Sequence, residues 1–282
     1  MSGKQPRTTI GDTFQETSNL EQQVIFMYVH RIEFSFQNGQ TPEKAIEFAE
    51  CLLGTLLRNG QICESIRGPL YMEENHCVAI VLAPEQESLD PKFHGKYVTS
   101  QIQEGVALGI GFTSTAMAKD RGSAETCSCH SSSGYVLFTT YLSLEPPVRC
   151  LDCFLPVPLY KFPAMPSGEY GDVVRWQSDY QSCDSLQMHC TVLERATIRQ
   201  MSDPRSSLSM MGRENCRMLE DLSGKPFYYY LYRDHGRSVK SEKARRCPSC
   251  GQPWCLETPL HSLFDYKCDT CRLLSNFAWN LT

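Results

Sequence analysis

The sequence contains no apolar stretch near the roughly 20 residues that a membrane-spanning helix needs, so a spanning protein is not expected. Its opening residues, Met1-Ser2-Gly3-Lys4-Gln5-Pro6-Arg7, form no apolar core of a secretory signal, and the expected setting is cytoplasmic. A net charge of −5 excludes a uniformly basic nucleic-acid coat. Enzyme signatures are missing as well. There is no H-E-x-x-H zincin motif and no G-x-x-x-x-G-K-[ST] phosphate loop. The deaminase pairing of H-x-E with P-C-x-x-C is absent, because Pro248 falls inside its cysteine pair rather than before it. Gly109-Ile110-Gly111 lacks the third glycine of a dinucleotide loop. No catalytic residue is therefore expected. What the chain has in excess is cysteine, 15 in 282 residues. In a reducing compartment that many thiols read as metal ligands and small buried hydrophobes, not as a disulfide framework.

At 41% hydrophobic and 21% charged, the chain has the composition of a folded globular protein. Residues 1–26 are polar and without periodicity, and read as a disordered extension. From Tyr28 to Phe36 apolar and polar residues alternate, which describes a strand with one buried face. Thr41 and Pro42 then punctuate the start of a helix whose apolar stripe runs Ile46, Ala49, Leu53, Leu56, Leu57 and which Asn59-Gly60 can close. Val78 to Leu82 reads as a buried strand. Asp90-Pro91 opens a weaker helix with Phe93, Tyr97, Val98 and Ile102 inward, and a short strand is expected between Leu108 and Thr115. The order suggests a ferredoxin-like α+β sandwich over 27–118. Residues 119–232 read as a zinc-stapled α+β middle region with a strand from Tyr135 to Leu142, helices over 170–222 and an aromatic strand from Phe227 to Tyr232. Residues 233–282 read as a basic linker followed by a C-terminal zinc ribbon.

The strongest chemical signal is Cys247-Pro-Ser-Cys250, then 17 residues, then Cys268-Asp-Thr-Cys271. Each C-x-x-C pair makes a tight turn presenting two sulfurs, and the connection is long enough for a hairpin that sets the second turn opposite the first. Four thiolates close a tetrahedral sphere, as expected of structural zinc with no open position. Cys127-Ser-Cys129 and Cys150-Leu-Asp-Cys153 offer a second set of four, with one arm tighter than usual. His130, Cys255 and His261 lie near enough in sequence to substitute for a ligand. The expected cofactor is zinc, with one or two ions.

A third signal is basic. Residues 233–246 carry a net charge of +4, which leaves −9 for the rest of the chain. They follow a strand on which Tyr228, Tyr230 and Tyr232 share a face. Aromatics beside Arg237, Lys240, Lys243, Arg245 and Arg246 read as a platform for stacked bases and neutralised phosphates. The same stretch also reads as a solvated linker after a strand whose tyrosines cover the core. Its cations could equally neutralise the formal negative charge of their own thiolate site.

With Tyr28-Val-His-Arg-Ile-Glu-Phe-Ser-Phe36 and Thr41-Pro-Glu-Lys-Ala45 at the start, Cys150-Leu-Asp-Cys153 in the middle and the two C-x-x-C pairs at the end, the chain from about Met27 onward resembles a bacterial zinc-ribbon-containing family of unknown function. That resemblance implies zinc at the terminal cysteines, a bacterial cytosolic setting and a nucleic-acid role, the last being itself inferred from the ribbon. The expectation is a non-catalytic binding module for RNA or DNA. The alternative is a protein-interaction module such as an inhibitor, immunity-type partner or adaptor.

Overall fold

The computed structural model describes residues 27–36, 41–63, 70–73 and 76–281; the expected disordered extension, 1–26, lies outside them. Two sheets with helices make a mixed α+β protein. In the first, β1 (Met27–Phe36) turns Ile32 and Phe34 fully inward, as its alternation requires. The helix α1 (Pro42–Arg58) covers that face with Phe48, Ala49, Leu52 and Leu56. Its first turn is closed by the Thr41 hydroxyl, which accepts from the Lys44 N–H at 3.5 Å, and Pro42 follows where no backbone donor is needed. After Asn59, Gly60 at φ +73° lets the chain leave.

Two further strands, β2 (Tyr71–Glu73) and β3 (His76–Ala83), extend the sheet on one side of β1. On the other side, α2 (Lys96–Ala107) leads into β4 (Ile110–Asp120). All neighbours are antiparallel, in the order β2-β3-β1-β4. Details differ from expectation. The helix expected from Asp90 is a single 3-10 turn, Pro91–Phe93, because His94 and Gly95 are extended, and α2 starts only after them. Tyr97, expected inward, is 41% exposed while Val98 is buried. The last strand runs on to Asp120 because β1 pairs with it over its full length.

The second sheet is built from β5 (Tyr135–Leu137), β6 (Val148–Cys150), β7 (Phe227–Leu231), β8 (Cys255–Leu260), β9 (Phe264–Cys268) and β10 (Leu273–Ser275). Their order is β6-β5-β7-β10-β9-β8, with β7 parallel to both β5 and β10. One continuous sheet therefore runs from the middle of the sequence into its C-terminal part. The strand expected over 135–142 ends at Leu137; beyond it the chain turns, and the Gln181 side-chain amide donates to the Thr140 and Ser143 carbonyls at 3.2 and 2.7 Å. That glutamine sits on α3 (Gly171–His189), which packs with α4 (Glu194–Ser202) and α5 (Ser207–Ser223).

These helices bury Trp176, Tyr180, Met201, Leu208 and Leu219 in one core with all five residues of β7. Gly212 of α5 permits that approach. A Cβ there would fall 2.2 Å from the Tyr229 ring and 2.5 Å from the Trp176 Nε1. The two units meet at Glu85, whose carboxylate accepts from the Thr126 and Tyr160 hydroxyls at 2.8 and 2.9 Å. Among the described residues, no helix is long and apolar enough to cross a membrane.

Overpacking of this kind costs about 1–3 kcal/mol. Gly212→Ala is expected to lower Tm by about 2–4 °C for each kcal/mol lost, measured by thermal unfolding followed by circular dichroism.

Candidate metal centres

Two groups of four cysteines converge, Cys127-Cys129-Cys150-Cys153 and Cys247-Cys250-Cys268-Cys271, with the sulfurs of each group within 4.8 Å of one another. Each group could hold a metal ion. Zinc–sulfur bonds of about 2.3 Å place tetrahedral sulfurs roughly 3.8 Å apart. The Cys127–Cys153 and Cys250–Cys268 sulfurs lie 3.5 and 3.6 Å apart, so both sets fit such an ion. His130, Cys255 and His261 join neither group among the described residues, and Cys255 is exposed on β8.

The backbone explains the convergence. At Cys150 the N–H donates to the Leu155 carbonyl and the Phe154 N–H returns to the Cys150 carbonyl, both at 2.9 Å. At Cys247 the same two bonds recur, to Gln252 and from Gly251, again at 2.9 Å. The residue after each second cysteine is left-handed, with φ +62° at Phe154 and +72° at Gly251. Beyond it, Arg149 bridges to Pro156 and Arg246 to Pro253. The two turns are one design, spelled R-C-x-x-C-x-x-P at 149–156 and again at 246–253. The repeat is written in the sequence, in the arginine and proline that flank each cysteine pair. A third turn, Cys268 to Cys271, likewise ends on a left-handed residue, Arg272 at φ +53°. The C-x-C arm is built differently: Cys127 donates its N–H to the Pro156 carbonyl at 2.8 Å, and the Cys129 N–H points at the Cys127 sulfur at 3.4 Å.

The thiols are pulled in opposite directions. Burial pushes Cys127 and Cys271 well up and Cys153 up to about 11. At Cys150 burial also pushes up, but hydrogen bonds from the Ser132 hydroxyl and the Cys153 and Asp152 N–H groups outweigh it and hold the thiol low. The Gln252 N–H brings Cys250 down to about 7. Thiolates this crowded repel one another, and a divalent cation among them removes the conflict.

The basic stretch divides into two. The short helix α6 (Val239–Lys243) carries Glu242, only 2% exposed, which pairs with Arg233 at 2.7 Å and Arg245 at 3.2 Å. Arg245 also lies flat over Tyr266, 3.9 Å from the ring centre, and near Trp254. It is a core cation and is withdrawn from the expected nucleic-acid contacts. Arg237, Lys240, Lys243 and Arg246 are exposed, and no carboxylate pairs with them among the described residues.

The tyrosine platform is corrected too. Tyr228 and Tyr230 are 3% and 5% exposed, with their hydroxyls bound to Asp269 and Asn276, because β7 is an interior strand. Tyr232 is half-buried, its hydroxyl 3.3 Å from an Asp234 oxygen. A base cannot stack on the first two. Glu242, like the buried Arg149–Glu145 pair at 3.3 Å, was hidden in the sequence, since a single carboxylate in a basic run reads as solvated.

Three family models of unassigned role match the chain in succession: Domain of unknown function (DUF8589) over residues 27–118, Domain of unknown function (DUF2310) over 129–232 and Domain of unknown function (DUF8594) over 236–281. An uncharacterised protein of Haemophilus influenzae is 38% identical over 246 residues, covering 84% of this chain and 94% of that one. Another uncharacterised protein of the same organism is 43% identical over 161 residues, covering 57% of this chain and 79% of its own length. No solved structure matches.

In metal-free protein, the low thiol of Cys250 makes it alkylate before Cys268 and Cys271 as pH rises through about 7. Cys271 should follow only at higher pH, because burial holds its thiol protonated. Site-resolved mass spectrometry of iodoacetamide-treated protein across pH 6–9 checks the order, the range being roughly that of ordinary and lowered thiols.

Proposed function

Taking as premise that this chain belongs to the family of the uncharacterised Haemophilus influenzae protein it matches over 94% of that protein's length, we propose that it is a zinc-stapled, non-catalytic binding module for RNA or DNA. Zinc suits eight cysteines in two closed sets, because the ion favours four soft thiolates in a tetrahedron and has no redox chemistry. Four protein ligands leave no coordination position for substrate, so each ion's role is to hold geometry. A thiol-rich chain of this kind fits a reducing, cytoplasmic setting. The β-α-β-β-α-β order of the first unit, with strands in the sequence 2-3-1-4, supports a ferredoxin-like sandwich for residues 27–118. We keep the division into that sandwich, a middle region over 119–232 and a basic linker with ribbon over 233–282.

One observation carries the nucleic-acid reading. Arg237, Lys240, Lys243 and Arg246 are all exposed, unpaired with any described carboxylate, and gathered on ten residues that lead directly into Cys247. Arg233 and Arg245 are consumed internally, so four cations remain for phosphate. With Tyr228 and Tyr230 in the core, recognition is of the backbone, electrostatic and independent of sequence.

The protein-partner reading has its own support at β4. This edge strand carries no proline and no charged residue from Ile110 to Ala118, so the lysines and prolines that usually block pairing are missing from most of its length, Lys119 and Asp120 standing only at its end. Under that reading the protein binds no nucleic acid even at low salt, and the four cations can be removed without loss of the partner.

Two measurements decide the matter. Metal analysis of purified protein is expected to give two zinc ions per chain. One ion rejects one of the two sites, and none rejects the metal reading. For duplex DNA, four phosphate contacts give a slope of about −3.6 in log affinity against log salt. Replacing Arg237, Lys240, Lys243 and Arg246 by alanine should abolish that slope, whereas a Tyr232→Phe variant should keep it. No binding at low salt overturns the nucleic-acid reading.

A further inference from the structure

The two cysteine clusters are not equally self-sufficient. In the Cys247 turn the residue after the first cysteine is Pro248, whose ring fixes its own backbone. The matching position in the Cys150 turn is Leu151, which has no such restraint and is held from outside instead. Its N–H donates to the Gly134 carbonyl at 2.9 Å. Its carbonyl accepts from the Nε2–H of His261 at 2.7 Å. The imidazole also stacks on Phe154, the left-handed residue that closes the same turn, with ring centres 5.0 Å apart and planes inclined by 19°.

His261 does not belong to that turn or its neighbours in sequence. It sits at the tip of the β8–β9 hairpin, the connection between the two arms of the other cluster, and β9 ends on Cys268. The tip is backbone-strained: His261 and Ser262 both adopt left-handed φ, +53° and +56°, without glycine at either position. Such conformations persist where the surroundings over-determine them. Here the compensating contacts are those the imidazole makes with Leu151 and Phe154.

We infer that His261 is a positioning residue for the Cys127–Cys153 metal site, delivered by the hairpin of the Cys247–Cys271 site, so that the first site is fully formed only when the second is. This rests on the reading that both clusters bind zinc. The histidine ligates no metal. It orients the peptide between two ligands, as residues beyond the coordination sphere do in metal sites generally. Loading is then ordered: the terminal site assembles alone, and the middle site follows.

The test uses the full-length zinc-loaded protein and a chromophoric chelator, with release of each ion followed in time. His261→Ala should accelerate release of one of the two ions by about tenfold to a hundredfold and leave the other unchanged. His261→Gln, whose amide can still donate to the Leu151 carbonyl, should recover much of the wild-type rate. A Cys150→Ser protein, left with the terminal site alone, should release its single ion at one rate that adding His261→Ala does not change. Wild-type release of both ions from His261→Ala overturns the inference, and so does acceleration that survives in the Cys150→Ser background. A wild-type protein holding no ion at the Cys127 cluster defeats the zinc reading itself, and is told apart from those results by the initial metal content.

Discussion

Four sulfurs drawn within 4.8 Å of one another are the constraint on which the second half of this protein depends. Several strands of the sheet around them are too short to stand on ladder hydrogen bonds: β5, β6 and β10 have three residues each. Cys150 is the last residue of β6, Cys268 the last of β9, and Leu273, two residues past Cys271, begins β10. The cysteine turns therefore sit at the places where the strands reverse. An ion bound there would close the reversals covalently and set the register that three-residue strands leave weak.

Around these turns the charges are arranged in two tiers. The inner tier is paired and at least partly buried, Arg149 with Glu145 and Arg233 and Arg245 with the buried Glu242. Burial pushes both Arg149 and Arg245 down from the usual guanidinium range, and their carboxylates pull them back up. Losing either partner would strand a charge in the interior, which is why such pairs act as locators of the backbone more than as sources of stability. The outer tier, Arg237, Lys240, Lys243 and Arg246, faces solvent with no carboxylate paired to it among the described residues. A stretch that is net basic in one dimension thus separates into structure and surface in three.

Much of the local architecture was readable from the residues. Thr41-Pro42 marked the helix start because a hydroxyl and a missing N–H suit the first turn wherever the helix lies. The alternation through β1 named its inner face. Both cysteine quartets were visible from spacing, since one- and two-residue intervals are set by the turn itself and not by distant contacts. The end of β5 at Leu137 and the late start of α2 were not visible. The first is followed by a turn held by Gln181, 38 residues beyond the Ser143 carbonyl it binds, and the second goes with the extended backbone at His94 and Gly95. Tyr228 and Tyr230 failed as a surface platform because alternation along a strand separates two faces without saying whether both are covered.

The amino-acid sequence alone determined the short spacings within each cysteine pair, the secondary-structure punctuation and the repeated R-C-x-x-C-x-x-P turn, each of which acts within about eight residues. Only the tertiary structure decided which cations remain free, that the two cysteine regions share one sheet, and that His261 reaches from one cluster to the other. Those outcomes depend on burial and on contacts across 9 residues for Arg233 with Glu242 and 110 residues for His261 with Leu151. Local pattern carries no information about such distances, because the side chain that completes a site is chosen by packing and not by its neighbours in the chain.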